Sequence, residues 1–161
     1  MTPEILTRLA EEWIPFNRTL GLRALRVGRG EVLFEIPFRD DLIGDPMRRA
    51  LHGGVVSMLA DTAGGFAVWS ALDDARSRIS TIDLRVDYLL PGKPEALLAH
   101  ATIARAGKTV GVADVRLYQS SAAGETIATG KGVYAIRLAK DARSLADAAS
   151  EASRATALDD D

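Results

Sequence analysis

Leu51-His52-Gly53-Gly54-Val55-Val56-Ser57-Met58-Leu59-Ala60-Asp61-Thr62-Ala63-Gly64-Gly65-Phe66-Ala67-Val68-Trp69 is the stretch on which the fold turns. After the opening His-Gly-Gly it reads as one helix, apolar on nearly every side, and a helix apolar all round is buried. It is too short, and too often interrupted by Ser57, Asp61 and Thr62, to span a membrane. The rest of the chain must therefore wrap a helix that carries one carboxylate, Asp61, in its middle. An ionised carboxylate in apolar surroundings must be paired, hydrogen-bonded, protonated or turned towards a cavity. At about 100° per residue, Gly54, Ser57, Met58, Gly65 and Val68 lie near Asp61 on the helix surface. Gly64 and Gly65 each cost the helix roughly 1 kcal/mol relative to Ala, so something needs the room they leave: a close backbone or a ligand. A structural Asp accepting local hydrogen bonds is the competing reading.

The helix start adds a second feature. Gly53 and Gly54 fall in the first turn, where backbone N–H groups lack partners inside the helix. Glycines let a ligand approach those groups, and the helix dipole favours negative charge there. Such donors, with a carboxylate two turns on, suit attack on a carbonyl: the donors hold a developing oxyanion while the carboxylate attacks or activates water. An ordinary Gly-rich helix entry is the alternative. The carboxylate's hydrogen bond is expected from Ser57 or Thr62.

The 161 residues suggest one domain with a sizeable core. A content of 47% hydrophobic and 26% charged residues, with net charge −2, gives no reason to expect nucleic acid or an anionic membrane as partner. The absence of cysteine excludes disulfides, thiolate metal sites and a Cys nucleophile. Two isolated histidines make no metal site, and no cofactor or nucleotide-phosphate loop is recognisable. The first residues lack a signal peptide's apolar core, so a cytoplasmic location is expected.

Along the chain, residues 3–12 read as a helix capped by Thr2, with Pro3 at its first position. Trp13, Ile14 and Phe16 follow as a lid or packing segment. Residues 22–27 and the alternating Val32, Phe34 and Ile36 make two strands around a Gly28-Arg29-Gly30 turn. Residues 39–49 read as a polar loop. After the helix and a charged turn at 73–78, a long strand alternates, with Ile82, Leu84, Val86 and Tyr88 on one face and Thr81, Asp83, Arg85 and Asp87 on the other. Pro91-Gly92-Lys93-Pro94 ends it. Strands at about 95–106, 109–119 and 125–138 follow, joined by turns at Gly107-Lys108 and Ala122-Ala123-Gly124. Hairpin-linked strands imply an antiparallel sheet, and so an α+β domain over residues 1–138 with one curved sheet around the long buried helix. The sheet's outer face and edge invite oligomerisation. Residues 139–161, rich in Ala and Asp, read as a disordered or partly helical tail.

His52-Gly53-Gly54, Asp61 nine residues after the histidine, Tyr88-Leu89-Leu90-Pro91-Gly92-Lys93 and Ala106-Gly107-Lys108-Thr109 together resemble the PaaI-like branch of the hotdog-fold acyl-CoA thioesterases, over about residues 18–138. The resemblance implies a sheet wrapped around the helix and two subunits pairing their sheets. It implies a dimer or dimer of dimers, with active sites at the subunit interface. It implies an acyl-CoA substrate, with Asp61 as nucleophile or general base and the Gly53 N–H on the thioester carbonyl. His52 would orient the site, and Thr81, contributed from the other subunit, would place the acyl group or water. Many relatives carry Asn or Gln six residues before the histidine; here that position is Pro46, beside Asp45, and it offers no side-chain donor.

Gly54, Ser57, Met58 and Gly65 are candidate substrate contacts. Lys93 and Lys108, with Arg105, Arg48 and Arg49, are candidates for the phosphates of coenzyme A, against the plain reading of solvated charges. His100 has no companion and reads as structural or surface. Two other functional classes stay open: a non-catalytic acyl-CoA binding module, favoured by Pro46, and a dehydratase or hydratase on the same fold, whose usual histidine-centred signature is not found. No recognition helix or basic face suggests a DNA-binding regulator.

Overall fold

The computed structural model describes residues 2–74, 76–119, 121 and 125–138. The expected tail at 139–161 and the turn at Ala122-Ala123-Gly124 lie outside the described residues.

The N-terminal helix is broken by proline. α1 (Pro3–Arg8) is capped by Thr2 Oγ1 and runs into a π-helical turn, Leu9–Trp13. Ile14 is extended (φ −86°, ψ 110°) because Pro15 follows it. Pro15 then takes the first position of a second short helix, α2 (Pro15–Leu20), which the sequence reading did not anticipate. Gly21, at φ 68°, ends α2 in the left-handed conformation.

The strands β1 (Arg23–Gly28) and β2 (Glu31–Ile36) form the expected hairpin. The supposed polar loop holds structure of its own: a 3₁₀ turn at Asp40–Leu42, then β3 (Ile43–Asp45) paired with β4 (Ala50–Leu51). These strands are too short to leave a period in the sequence. The central helix α3 (Gly53–Ser70) comes next. It is followed by β5 (Arg78–Tyr88), β6 (Leu97–Ala106), β7 (Val110–Gln119) and β8 (Thr126–Arg137).

Among the described residues, six strands form one antiparallel sheet in the order β1-β2-β6-β7-β8-β5. α3 lies across it and contacts every strand of that sheet. Ala60, Ala63, Gly64 and Ala67 on the helix, and Ala99, Ala101 and Ala113 on the strands, are small and fully buried, which brings the helix close to the sheet. Phe34 and Phe66 pack between them, their rings edge to face with centroids 5.3 Å apart. The helix is not apolar on every side after all. Met58, Asp61, Thr62 and Trp69 are only half-buried and form an open flank.

The two edges of the sheet differ. The Glu11 carboxylate accepts the Ala24 N–H at 2.7 Å, so the N-terminal segment partly covers β1. β5, eleven residues long, pairs with β8 on one side only. Among the described residues no helix is long and apolar enough to cross a membrane.

Strict alternation fails in β5 at one position. Thr81 pairs with Tyr134 and Asp83 with Val133, so Ile82 is an extra residue, a β-bulge. The bulge shifts the phase. Thr81 therefore shares the helix-facing side with Leu84 and Val86 rather than opposing them, and Ile82 turns outward at 59% exposure.

Candidate active site

Asp61 sits midway along α3 on the flank that faces β5. Its Oδ1 accepts a hydrogen bond from Thr81 Oγ1 at 2.9 Å. The expected donors are engaged elsewhere. Ser57 Oγ turns back to Gly53 O (3.2 Å) and Gly54 O (3.3 Å), and Thr62 Oγ1 points at Met58 Sδ (3.9 Å). Ser and Thr inside a helix commonly bond to the preceding turn, and that local competition leaves the carboxylate to a residue from the sheet. Thr81 comes from the same chain as Asp61, where the resemblance implied the other subunit.

Asp61 and Thr81 line a cleft of about 470 Å³. Its walls are mostly apolar. Met58, Gly65, Phe66 and Trp69 come from α3, Ile79 from β5, and Ile14 and Phe16 from the N-terminal segment expected as a lid or packing segment, whose Trp13 is not part of the wall. This is the composition of a small-molecule site: apolar walls with a few polar groups. Asn17, buried and bonded through Nδ2 to Ala10 O at 2.9 Å, also lines it, as do Ser80 and Tyr134. The sequence reading missed these three and Ile79.

Tyr134 explains the helix glycines. A Cβ on Gly64 would collide with the Tyr134 hydroxyl, and one on Gly65 would lie 3.2 Å from Ile79 Cδ1 and 3.4 Å from Tyr134 Cε1. At Gly64 the room is taken by a tyrosine of the same chain, while Gly65 also lines the cleft. The signal was present: glycine in a strand interior marks a close approach, and Gly132 stands two residues before this tyrosine. Tyr134 Oη donates to the Asp61 backbone carbonyl at 3.0 Å. Burial, and then the negative charge of Asp61, push the phenol well above its usual ionisation range.

The helix start is a separate locus. His52 Nδ1 accepts the Gly54 N–H at 2.8 Å and so caps the helix, while the His52 carbonyl accepts from Val55 N at 2.9 Å. Tyr88 Oη donates to Gly53 O at 3.1 Å, its ring lying against Gly53. The Gly53 N–H has no acceptor among the described residues and is the donor left open to a ligand. Gly53 and Asp61 are eight residues apart, which is about 12 Å along a helix axis. A single carbonyl group cannot touch both, so the pairing of these two groups within one helix does not hold.

The remaining candidates disperse. Lys93 follows Gly92, whose carbonyl accepts the Leu51 N–H at 2.9 Å, so it lies at the helix-start end. Its own backbone is clamped by the buried Gln119 amide, through Lys93 N to Oε1 and Nε2 to Lys93 O, each 2.8 Å. That clamp keeps residues 93–95 out of the sheet, so β6 begins at Leu97 rather than at 95. Lys108 lies beyond the far end of β6, roughly 30 Å from Lys93 at strand spacing. Arg49 pairs with Asp40 (2.7 Å) and Arg48 with Asp45 (3.8 Å). Asp45, beside Pro46, also accepts the N–H groups of Met47 and Arg48 at 3.0 and 3.2 Å, so it belongs to its own turn. His100, expected to have no companion, places Nε2 2.6 Å from Glu31 Oε1 and 3.4 Å from Arg26 on the outer face of the sheet, and holds the Glu31 carboxyl below its usual range.

The family model of the thioesterase superfamily matches residues 49–124, which include all of α3. The medium/long-chain acyl-CoA thioesterase YigI of Escherichia coli is 38% identical over 117 residues, covering 65% of this chain and 76% of YigI. Among solved structures, a Shewanella oneidensis protein related to the thioesterase superfamily aligns with a TM-score of 0.75 and 29% identity, over 83% of this chain and 94% of the other. A thioesterase family protein from Silicibacter pomeroyi aligns with a TM-score of 0.75 and 26% identity, over 84% and 98%. The curved antiparallel sheet around one long helix is the hotdog fold, and the chain belongs to the thioesterase superfamily.

Proposed function

We propose that the chain hydrolyses acyl-CoA thioesters to the free acid and coenzyme A, in the cytoplasm, in a site built from two copies of itself. The observation that carries this is the Asp61 carboxylate, held by Thr81 at 2.9 Å in the wall of a largely apolar cleft. A carboxylate there either attacks the thioester carbonyl or takes a proton from the attacking water, and the cleft takes the acyl chain. The similarity to YigI supports a medium or long acyl chain on coenzyme A. We assign the chain to the PaaI-like branch on His52-Gly53-Gly54 and Asp61.

The oxyanion needs donors that Asp61's own helix start cannot supply across about 12 Å. The Gly53 N–H of a second copy fits that role, with His52 fixing the turn that presents it. The free edge of β5, next to Thr81, is the surface through which two sheets would join into one, as a dimer or a dimer of dimers. Lys93, at the helix-start end, is assigned to a coenzyme A phosphate. Lys108 could serve only a site to which another copy brings it.

The test is thiol release from a panel of aliphatic and aromatic acyl-CoA esters, by wild type and Asp61→Asn. The chain has no cysteine, so a thiol reagent reads only coenzyme A. Turnover by the wild type and a loss of between about 10² and 10⁴-fold in the variant are expected. No turnover by folded wild type on any ester, or full turnover by the variant, overturns the proposal.

A further inference from the structure

Tyr134 lies 73 positions from Asp61 and directly across the β5–β8 pair from Thr81. Side chains of a cross-strand pair project to the same face, and these two reach the same residue of α3. Thr81 Oγ1 donates to the Asp61 carboxylate at 2.9 Å, and Tyr134 Oη donates to the Asp61 main-chain carbonyl at 3.0 Å. One adjacent pair thus holds both the reactive group and the backbone that carries it.

The slot around the ring is built for this contact. A Cβ on Gly64 or on Gly132 would collide with the phenol, and one on Gly65 would press on the ring edge. Glycine is unfavourable inside helices and strands alike, yet three such positions converge on one side chain. Tyr134 is 1% exposed. A slot that served packing alone would take phenylalanine without burying a hydroxyl, which must find a partner. The partner it finds is the carbonyl of Asp61.

We propose that the Tyr134 hydroxyl is a positioning residue for the reaction: it fixes the helical turn bearing Asp61 against β8, so that the carboxylate stays in line with Thr81. The proposal rests on the reading of Asp61 as the group that acts on the thioester. A displacement of about 1 Å in such a group can cost as much as 10²-fold in rate.

Two single variants and their combination test it. Tyr134→Phe keeps the ring in its slot and removes the hydroxyl alone. It should lower kcat about tenfold, about 1.4 kcal/mol of transition-state stabilisation, with KM near wild type and the thermal midpoint only a few degrees lower. Gly64→Ala drives a methyl chiefly into the hydroxyl, with Tyr134 Cζ at 3.1 Å and Val115 Cγ2 at 3.3 Å behind it, and should also lower kcat. If both act chiefly through that oxygen, the double variant falls by less than the product of the two single losses. Wild-type kcat in Tyr134→Phe, a loss confined to KM, or losses that multiply in the double variant would each overturn the proposal. Wild-type turnover, measured first, separates the two readings. Its absence defeats the thioesterase reading and this proposal with it, whereas normal wild-type turnover with an unaffected Tyr134→Phe defeats this proposal alone.

Discussion

At the start of α3, His52 caps the Gly54 N–H two residues away and Ser57 turns back onto Gly53, so the turn is built mostly from its own neighbours. In the middle of the same helix, Asp61 is held by Thr81 and Tyr134, 20 and 73 positions distant. The first locus presents a backbone donor shaped by local geometry. The second presents a side chain whose aim depends on strand register. A change at the start should therefore act on one donor or one cap, whereas a change in the middle should act through the sheet.

The strongest way to break this comparison is to delete the donor without disturbing the turn. Gly53 has no positive φ, and His52 before it is extended (φ −65°, ψ 132°), so Gly53→Pro fits the first helical position and removes the N–H, its Cβ meeting Tyr88 Cε1 at an ordinary 3.4 Å. Turnover should fall by about 10² to 10³, the usual effect of losing one oxyanion donor, with thermal stability retained. Mixing this variant with Asp61→Asn sharpens the result. If each site takes Gly53 from one chain and Asp61 from the other, half the dimers in an equal mixture carry one intact site, and about a quarter of wild-type turnover returns. No recovery after exchange of subunits would remove the Gly53 N–H from the site that Asp61 serves.

A smaller loss is expected at the carboxylate's partner. Thr81→Val keeps the shape and removes the hydrogen bond to a charged group. Turnover should fall at least about tenfold, because the carboxylate loses the hydrogen bond that aims it. His52→Ala removes the helix cap and should cost about 1 kcal/mol of stability, read as a lower thermal midpoint.

The smallest effect is spectroscopic. Of the three tyrosines, Tyr88 is exposed and Tyr134 is buried beside Asp61. The raised phenol favours the protonated, folded form. Its contribution to stability is complete below the usual tyrosine value of about 10 and is lost as the pH climbs towards the folded value. An alkaline absorbance titration should show one late step, coincident with unfolding, that disappears in Tyr134→Phe.

Periodicity and composition made the long helix, its burial and the anomalous Asp61 legible, and alternation made the strands so. Local chemistry also foretold the cap at Thr2. The failures have physical causes. Pro15 splits the N-terminal helix because the residue before a proline is extended. β3 and β4 are too short to show a period. The bulge at Ile82 puts Thr81 on the face that alternation denied it. Ser57 and Thr62 were close enough in sequence to reach Asp61 but bonded to their own helix first.

The sequence by itself determined that a helix must be buried and that one carboxylate on it must be accounted for, since hydrophobic pattern and the cost of an unpaired charge are properties of short stretches. Only the tertiary structure decided which hydroxyl meets that carboxylate and which ring fills the space beside Gly64 and Gly65. Those answers depend on β5 lying next to β8 and on a one-residue shift in their register, and strand order and register are set by residues far apart in the chain.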